Sequence, residues 1–130
     1  MNTLTRPQTI HVCRDTTAGT HRTDSDEIAW WLPVIGPTAT VLARLFTRTT
    51  PPTGATWQTD TLARTIGLGG GGRHLWNALE RLAMFHIVTF HSADVLTIRT
   101  ELPALTGRQL ERLPHDLATE YAARFLIRAA

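Results

Sequence analysis

The chain has 130 residues, of which 42% are hydrophobic, and its formal net charge is +2. This length favours one domain with a single hydrophobic core over two ordinary domains. No apolar run approaches the roughly 18 residues of a membrane helix, and the first residues lack the pattern of a signal peptide. Because the chain has one cysteine, no internal disulfide can form. We therefore expect a cytoplasmic protein without membrane association.

All thirteen basic residues are arginine, a bias that a GC-rich genome explains in large part. The distribution of charge says more than its total. Residues 29–100 hold six arginines against three acidic residues, whereas residues 1–28 and 101–130 have no positive excess. Positive charge in the middle of the chain favours a polyanionic partner such as DNA.

The first part of the chain contains one strand-like stretch. Residues 9–14 alternate between apolar and polar side chains, which predicts a short strand with Ile10 and Val12 facing inward. Acidic residues at 24–27 favour the start of a brief helical turn, which leads to Trp30 and Trp31 as expected core anchors. We treat residues 1–28 as an N-terminal extension that precedes a domain of residues 29–102.

Two helices are predicted in the first half of that domain. Proline favours the first helical position, so Pro37 begins a helix that ends near Thr49. Its predicted apolar stripe consists of Val41, Leu42, Leu45 and Phe46. After an extended piece at residues 55–57, the Thr59 hydroxyl is expected to cap a second helix, which Gly67 ends in a left-handed conformation. The buried face of this second helix consists of Leu62, Ala63 and Ile66.

A third helix is predicted over residues 73–84, after a turn formed by Gly69–Gly72. Its buried side consists of Leu75, Leu79 and Leu82. Its opposite side consists of Arg73, His74, Trp76, Asn77, Glu80 and Arg81. Residues 87–90 and 95–99 are rich in β-branched side chains and are separated by a hairpin-length turn. The predicted fold is therefore mostly α with a small β-hairpin, in the α+β class.

Residues 103–130 are expected to form a C-terminal helical segment. Two helical stretches, 106–113 and 114–128, are predicted on either side of a break at Pro114. They share an apolar line that consists of Leu110, Leu113, Leu117, Tyr121 and Phe125. This line either packs on its own domain or pairs with a second copy, and we expect the second arrangement, a homodimer.

Two stretches of the chain resemble the winged helix-turn-helix superfamily of bacterial and phage regulators. They are LARTIGL at residues 62–68, and ALERL at 78–82 followed by FHIV at 85–88. The stretch WLPVIGPTAT at 31–40 is similar to small actinobacterial members. The resemblance covers residues 37–100. It departs from the usual pattern at the long glycine-rich turn and at His86, where many members have glycine.

This resemblance implies a winged helix-turn-helix with additional C-terminal helices, in which helix 73–84 enters the major groove of double-stranded DNA. The residues expected at the DNA are Arg64, Arg73, His74, Trp76, Asn77, Arg81 and Arg99. Among them, Arg73, His74 and Asn77 would contact base edges, while Arg64 and Arg81 would contact phosphates.

Three further side chains have more than one interpretation. Arg99, on the wing formed by residues 87–100, would reach the flanking DNA backbone or the minor groove. Trp76 either belongs to the DNA-facing surface or tucks under the wing or the C-terminal helix. Glu80 either accepts a hydrogen bond from cytosine or neutralises Arg73 or Arg81. A solvated helix face without any partner would also explain this set of residues.

The predicted function is a sequence-specific double-stranded DNA-binding protein that regulates transcription. The alternative is a winged-helix module for protein–protein interaction that reads no DNA.

The glycine run at 67–72 also satisfies the dinucleotide fingerprint G-x-G-x-x-G, but it follows a helical pattern and not a buried strand. It is also similar to a P-loop, but Arg73 and His74 replace the lysine and the serine or threonine that a P-loop requires. We therefore do not expect nucleotide binding.

Other chemistries have little support in the sequence. His11 and Cys13 would share one strand face with His21 nearby, yet no fourth ligand stands at a suitable spacing for a metal. Neither serine lies in a nucleophile elbow. We therefore expect no enzymatic activity, no cofactor and no metal.

Overall fold

The computed structural model describes residues 6–69 and 72–126 of the chain. The strands are β1 (Thr9–Asp15), β2 (His21–Arg22), β3 (Ala55–Gln58), β4 (Val88–Phe90), β5 (Val95–Arg99) and β6 (Glu101–Leu102). The helices are a 3-10 helix (Asp26–Trp31), α1 (Leu32–Ile35), α2 (Pro37–Thr49), α3 (Thr59–Thr65), α4 (Arg73–Met84), α5 (Gly107–Leu110) and α6 (His115–Tyr121), which continues into a π-helical turn (Ala122–Leu126). This content confirms the predicted α+β class. In the two described ranges, every helix falls short of the length and apolar character that a membrane span requires.

β1 lies inside the main sheet, whose strand order is β3-β1-β5-β4. It pairs antiparallel with β3, where Ile10 is opposite Trp57, and parallel with β5, where Val12 is opposite Leu96. Ile10 and Val12 are buried, which confirms their predicted inward orientation. The strand that we assigned to an N-terminal extension therefore contributes to the same core as the rest of the chain. β2 and β6 form a separate antiparallel pair.

The helices and hairpin predicted within residues 37–100 are present. The bounds of α2 and α4 match the prediction, and β4 and β5 match the predicted hairpin within one residue. The three predicted core leucines of α4, Leu75, Leu79 and Leu82, are fully buried. Gly67 follows α3 with a φ of 82°, which confirms its left-handed conformation. Gly70 and Gly71 of the predicted turn lie outside the described residues.

The apolar stripe of α2 differs from the prediction at one position. Leu42 and Phe46 are fully buried, but Val41 is 51% exposed, so its predicted place in the stripe is wrong. Ala39 and Ala43 occupy the buried side instead. α2 packs against α4, and small side chains at a helix contact allow a close approach of the two axes. Hydrophobic spacing alone does not reveal this use of alanine.

The start of α3 also differs from the prediction. Thr59 is the first residue of α3 and not its cap, and Gln58 precedes the helix without a capping hydrogen bond from its side chain. The Thr59 hydroxyl donates to the Gln8 carbonyl oxygen at 3.1 Å, and the Thr59 amide donates to the same oxygen at 2.8 Å. The predicted hydroxyl cap is therefore wrong, because this hydroxyl binds the N-terminal segment instead.

The predicted helical turn near residues 24–27 is the 3-10 helix. The Ser25 hydroxyl caps it by accepting a hydrogen bond from the Glu27 amide at 3.1 Å. Trp31 is buried, and its indole Nε1 donates to the Pro103 carbonyl oxygen at 3.2 Å. Trp30 is half-buried and packs edge-on against Tyr121, so both tryptophans anchor the 3-10 helix to later parts of the chain.

The C-terminal segment packs on its own chain through Tyr121, which is fully buried. The predicted apolar line is mostly used in this packing. Leu113 is also buried, whereas Leu117 is 42% exposed. Packing on the same domain was one of the two alternatives for this line, and it leaves α6 with a single exposed leucine. Residues 127–128, at the end of the predicted second stretch, lie outside the described residues.

Candidate nucleic-acid interface

Helix α4 has one buried side and one charged, exposed side. Its core leucines follow each other at spacings of four and three residues, and an α-helix repeats every 3.6 residues, so they fall on one stripe. The opposite stripe holds Arg73, His74, Asn77, Glu80 and Arg81, all of them exposed. Four of the residues predicted at DNA therefore share one surface, which we call the α4 face.

An open cleft of about 510 Å³ borders the α4 face. We call it the arginine cleft. It is lined by Arg6, Pro7, Gln8, Thr59, Asp60, Gly72, Arg73, Trp76 and Asn77. Residues 6–8 belong to it because the two hydrogen bonds from Thr59 hold the Gln8 carbonyl at the start of α3. The cleft thus brings Arg6 and Arg73, which are far apart in sequence, to one cavity.

A second cleft, of about 310 Å³, borders the other side of the α4 face, next to the start of α2. It is lined by Ile35, Gly36, Pro37, Thr38, Ala39, Leu68, His74, Asn77, Ala78 and Arg81. Asn77 lines both clefts. The α4 face is therefore a ridge between two depressions, with Asn77 along its crest.

Trp76 forms part of the arginine cleft and is not an exposed residue of the α4 face. Only 8% of it is exposed, and its ring stacks on Phe90 of β4, with 6.3 Å between the ring centroids and 24° between the planes. The sequence left three positions open for Trp76: on the DNA-facing surface, under the hairpin, or under the C-terminal helix. In the structure, Trp76 lies under the hairpin. The Arg6 guanidinium carbon lies 5.7 Å from the indole centre, within cation–π range.

The arginines of the α4 face are available for a ligand. Among residues 6–69 and 72–126, neither Arg73 nor Arg81 forms an ion pair with a carboxylate. Glu80 therefore does not neutralise Arg73 or Arg81, which was one of the two roles considered for it. Asp60, the one carboxylate among the described residues that line the arginine cleft, pairs with Arg64 at 3.3 Å. Positive charge consequently prevails around the cleft.

Arg64 and Arg99 occupy different surroundings from the α4 face. Arg64 is exposed on α3 and is held by its i,i+4 pair with Asp60. Arg99 lies on β5 opposite Asp15, and its guanidinium donates to the Ala18 carbonyl oxygen at 3.2 Å. The Nε atom of Arg99 is buried without a partner in the described part of the chain. Arg99 thus ties β5 to the loop after β1, and the structure does not bring it to either cleft.

Of the residues that line the arginine cleft, only Arg73, Trp76 and Asn77 were predicted at the interface. Arg6 and Gln8 belong to the predicted N-terminal extension, in a stretch that has no hydrophobic period. The local sequence carries no signal for their position, because it depends on β1 entering the sheet and on the Thr59 hydrogen bonds.

The histidines and the cysteine considered as metal ligands lie apart or contact other side chains. His11 and Cys13 do share the outer face of β1, and His11 Nδ1 lies 2.9 Å from the Thr56 hydroxyl. His21 is buried elsewhere, beside Glu27. In the part of the chain that the structure describes, no three His, Cys, Asp or Glu side chains form a group that could hold a metal ion.

Compared with models of known protein families, with curated proteins and with solved structures, the chain matches none of them. Any function for the α4 face and its clefts must therefore be argued from their own residues.

Proposed function

We propose that this protein is a sequence-specific double-stranded DNA-binding protein that regulates transcription in the bacterial cytoplasm. The observation that carries the proposal is the α4 face, an exposed helical ridge between two clefts, whose arginines form no ion pair with the described residues. An α-helix fits the major groove of B-form DNA, and a ridge bordered by depressions lets the groove edges approach on both sides.

Base contacts would come from the residues at the start and centre of the ridge. Arg73 can donate two hydrogen bonds to the O6 and N7 atoms of guanine, and Asn77 can pair with the N6 and N7 atoms of adenine. His74 lies between them in sequence and is exposed. These side chains belong to a helix whose other side is fixed in the core, so little backbone freedom would be lost on binding.

Phosphate contacts would come from the flanks. Arg6 reaches the arginine cleft from the N-terminal segment, and Arg81 lines the second cleft. The sugar-phosphate strands on either side of the major groove would then enter the two clefts. Arginine suits this position because its planar guanidinium binds phosphate oxygens through two hydrogen bonds.

The order α2, β3, α3, α4, β4, β5 is that of a winged helix-turn-helix, and we include this fold in the proposal. α3 and α4 would be the two helices of the motif, and the β4–β5 hairpin would be the wing. β1 is an addition to that order, because it lies between β3 and β5. The hairpin packs on α4 beside the ridge, through the stack of Phe90 on Trp76.

Selection of binding sites from a random duplex pool, followed by fluorescence anisotropy at several salt concentrations, tests the proposal. Binding should weaken steeply with salt, because released counterions drive association. Arg73→Ala and Asn77→Ala should each lower specific affinity by about 1–3 kcal/mol and leave non-specific affinity much less affected. Arg108→Ala is a matched control, since Arg108 is an exposed arginine of α5 that lines neither cleft.

Failure to enrich any duplex sequence at low salt would contradict the proposal. So would an equal effect of Arg73→Ala and Arg108→Ala on the selected site. Either result would direct attention to the alternative function, a protein–protein interaction module.

A further inference from the structure

The outer side of α2 carries a groove that the proposed DNA contact does not use. Its cavity of about 440 Å³ is lined by Val41, Arg44, Leu45, Arg48 and Thr49. Val41 and Leu45 are one i,i+4 pair on this side of α2, and Arg44 and Arg48 are a second i,i+4 pair beside them, so the groove has an aliphatic edge and an arginine edge. Val41 is 51% exposed there. We call this surface the α2 groove.

A second exposed apolar side chain lies on α6 with charge of the opposite sign. Leu117 is 42% exposed, and Glu120, three positions later, is its neighbour on the helix surface. Asp116 lies four positions before Glu120 and therefore on the same side as that carboxylate. We call these three residues the α6 ridge. The ridge belongs to a rigid part of the molecule, because Tyr121 at the end of α6 is fully buried.

The two surfaces complement each other in polarity and in charge. Both expose aliphatic side chains, but arginines lie beside those of the α2 groove and carboxylates lie beside the leucine of the α6 ridge. Two α2 grooves facing each other would oppose arginines, and two α6 ridges would oppose carboxylates, so like charges disfavour both of these pairings. The favourable pairing joins a groove with a ridge.

We propose that the α2 groove of one copy of this chain binds the α6 ridge of a second copy. Val41 and Leu45 would contact Leu117 of the second copy, and Arg48 would pair with Asp116. This contact is independent of DNA binding, because neither surface contains a residue that lines the arginine cleft or the second cleft.

The ion pairs now present on these surfaces do not prevent such a contact. Arg44 lies 3.5 Å from Asp26, which is 99% exposed, and Glu120 lies 3.6 Å from Arg124. Exposed pairs of this kind contribute little to stability, so they can exchange partners readily. Arg48 and Asp116 form no ion pair within the described ranges, and they are the charged residues best suited to a test.

Sedimentation velocity of the full chain without DNA, over a range of protein concentrations at low salt, tests the contact. The mass of the wild-type protein should rise above that of the monomer with increasing concentration. Arg48→Glu and Asp116→Arg should each weaken self-association at least tenfold. Glu111→Arg, which makes the same charge change on an exposed residue before α6, should leave it unchanged.

An equimolar mixture of the Arg48→Glu and Asp116→Arg variants should associate again. The groove of the first variant is negative at position 48, and the ridge of the second is positive at position 116, so the two attract each other. Recovery in the mixture cannot result from misfolding of either variant. A wild-type protein that stays monomeric up to about 1 mM, the range of the weakest specific contacts, would overturn the proposal. No recovery in the mixture would overturn it as well.

Discussion

The Tyr121 hydroxyl lies 2.6 Å from the Nε2 atom of His21, although the two residues are 100 positions apart in the chain. The Leu105 amide donates to the same hydroxyl at 2.8 Å, so the hydroxyl proton is free to point at His21. Nδ1–H of His21 then donates to the Glu27 carboxylate at 2.7 Å. One continuous run of hydrogen bonds thus joins α6 to β2 and the 3-10 helix, and both ring nitrogens of His21 have a partner in it.

Replacing Tyr121 with phenylalanine should lower the free energy of unfolding by about 1–3 kcal/mol. The ring and its packing remain, but the Leu105 amide and the His21 Nε2 atom lose their shared partner in a buried place. Chemical denaturation with urea measures the change. Thr65→Ala, which removes an exposed hydroxyl hydrogen bond on α3, should change stability by no more than about 0.5 kcal/mol. Equal effects of the two substitutions would contradict the importance of the buried network.

Folding should raise the pH at which Tyr121 ionises. Burial raises the pKa of this phenol above its ordinary value of 10.0, and the hydrogen bond from the Leu105 amide offsets only part of that rise. Because the folded pKa is the higher one, the associated stability is fully present below pH 10 and is lost as pH rises through the folded value. Tyr121 is the only tyrosine, so tyrosinate absorbance reports on it directly.

The measurement compares the alkaline titration of the native protein with that of the protein in denaturant. The native curve should have the higher midpoint and should coincide with unfolding. A native midpoint equal to the denatured one would mean that the hydroxyl is exposed to solvent.

Replacing His86 with glycine should stabilise the protein by about 0.5–1 kcal/mol. His86 has a φ of 61°, a left-handed value that costs energy for any residue with a Cβ atom. Its amide donates to the Ala83 carbonyl oxygen at the end of α4, and glycine keeps that hydrogen bond. Thermal and urea unfolding should both show the gain, whereas His86→Ala retains the Cβ atom and should not stabilise.

Gly67→Ala provides the reverse test at a second left-handed position. Gly67 has a φ of 82°, and an added Cβ would meet no atom of the described residues within 4 Å. The expected loss of about 1 kcal/mol would therefore measure backbone strain without a steric clash. If both substitutions were neutral, left-handed strain would not limit the stability of these two turns.

Arg6→Ala should lower the affinity for duplex DNA and reduce the slope of log affinity against log salt concentration by about one. This prediction rests on the proposed function and follows from the position of Arg6 in the arginine cleft. The effect should be similar for specific and random sequences, because a phosphate contact carries no sequence information. Anisotropy titrations measure it, with Arg108→Ala as the control. An unchanged slope would exclude Arg6 from the interface.

Sequence alone predicted the elements whose signals are local. α2 and α4 were found with their bounds because proline, glycine and leucine spacings lie within the helices themselves. The α4 face followed from the same periodicity. Val41 was placed incorrectly, since a helical stripe of aliphatic residues does not say which edge of it the neighbouring helix covers.

The arginine cleft could not be predicted because it is assembled from distant segments. Residues 6–8 reach it only after β1 has paired with β3, and Trp76 forms part of its lining only after Phe90 has packed on the indole. The role of Thr59 depends on the Gln8 carbonyl, which a local capping rule does not consider. Contacts of this kind between distant segments produce no hydrophobic periodicity that could be recognised in the sequence.

The central position of β1 has a consequence for the order of folding. β1 is synthesised before its parallel partner β5, and α2, α3 and α4 lie between the two strands in the chain. The helices can form early from local contacts, whereas the sheet can close only when both strands are available. Refolding should accordingly be limited by docking of β1 against β5, and during synthesis the edge of β1 that pairs with β5 stays open until that strand has emerged.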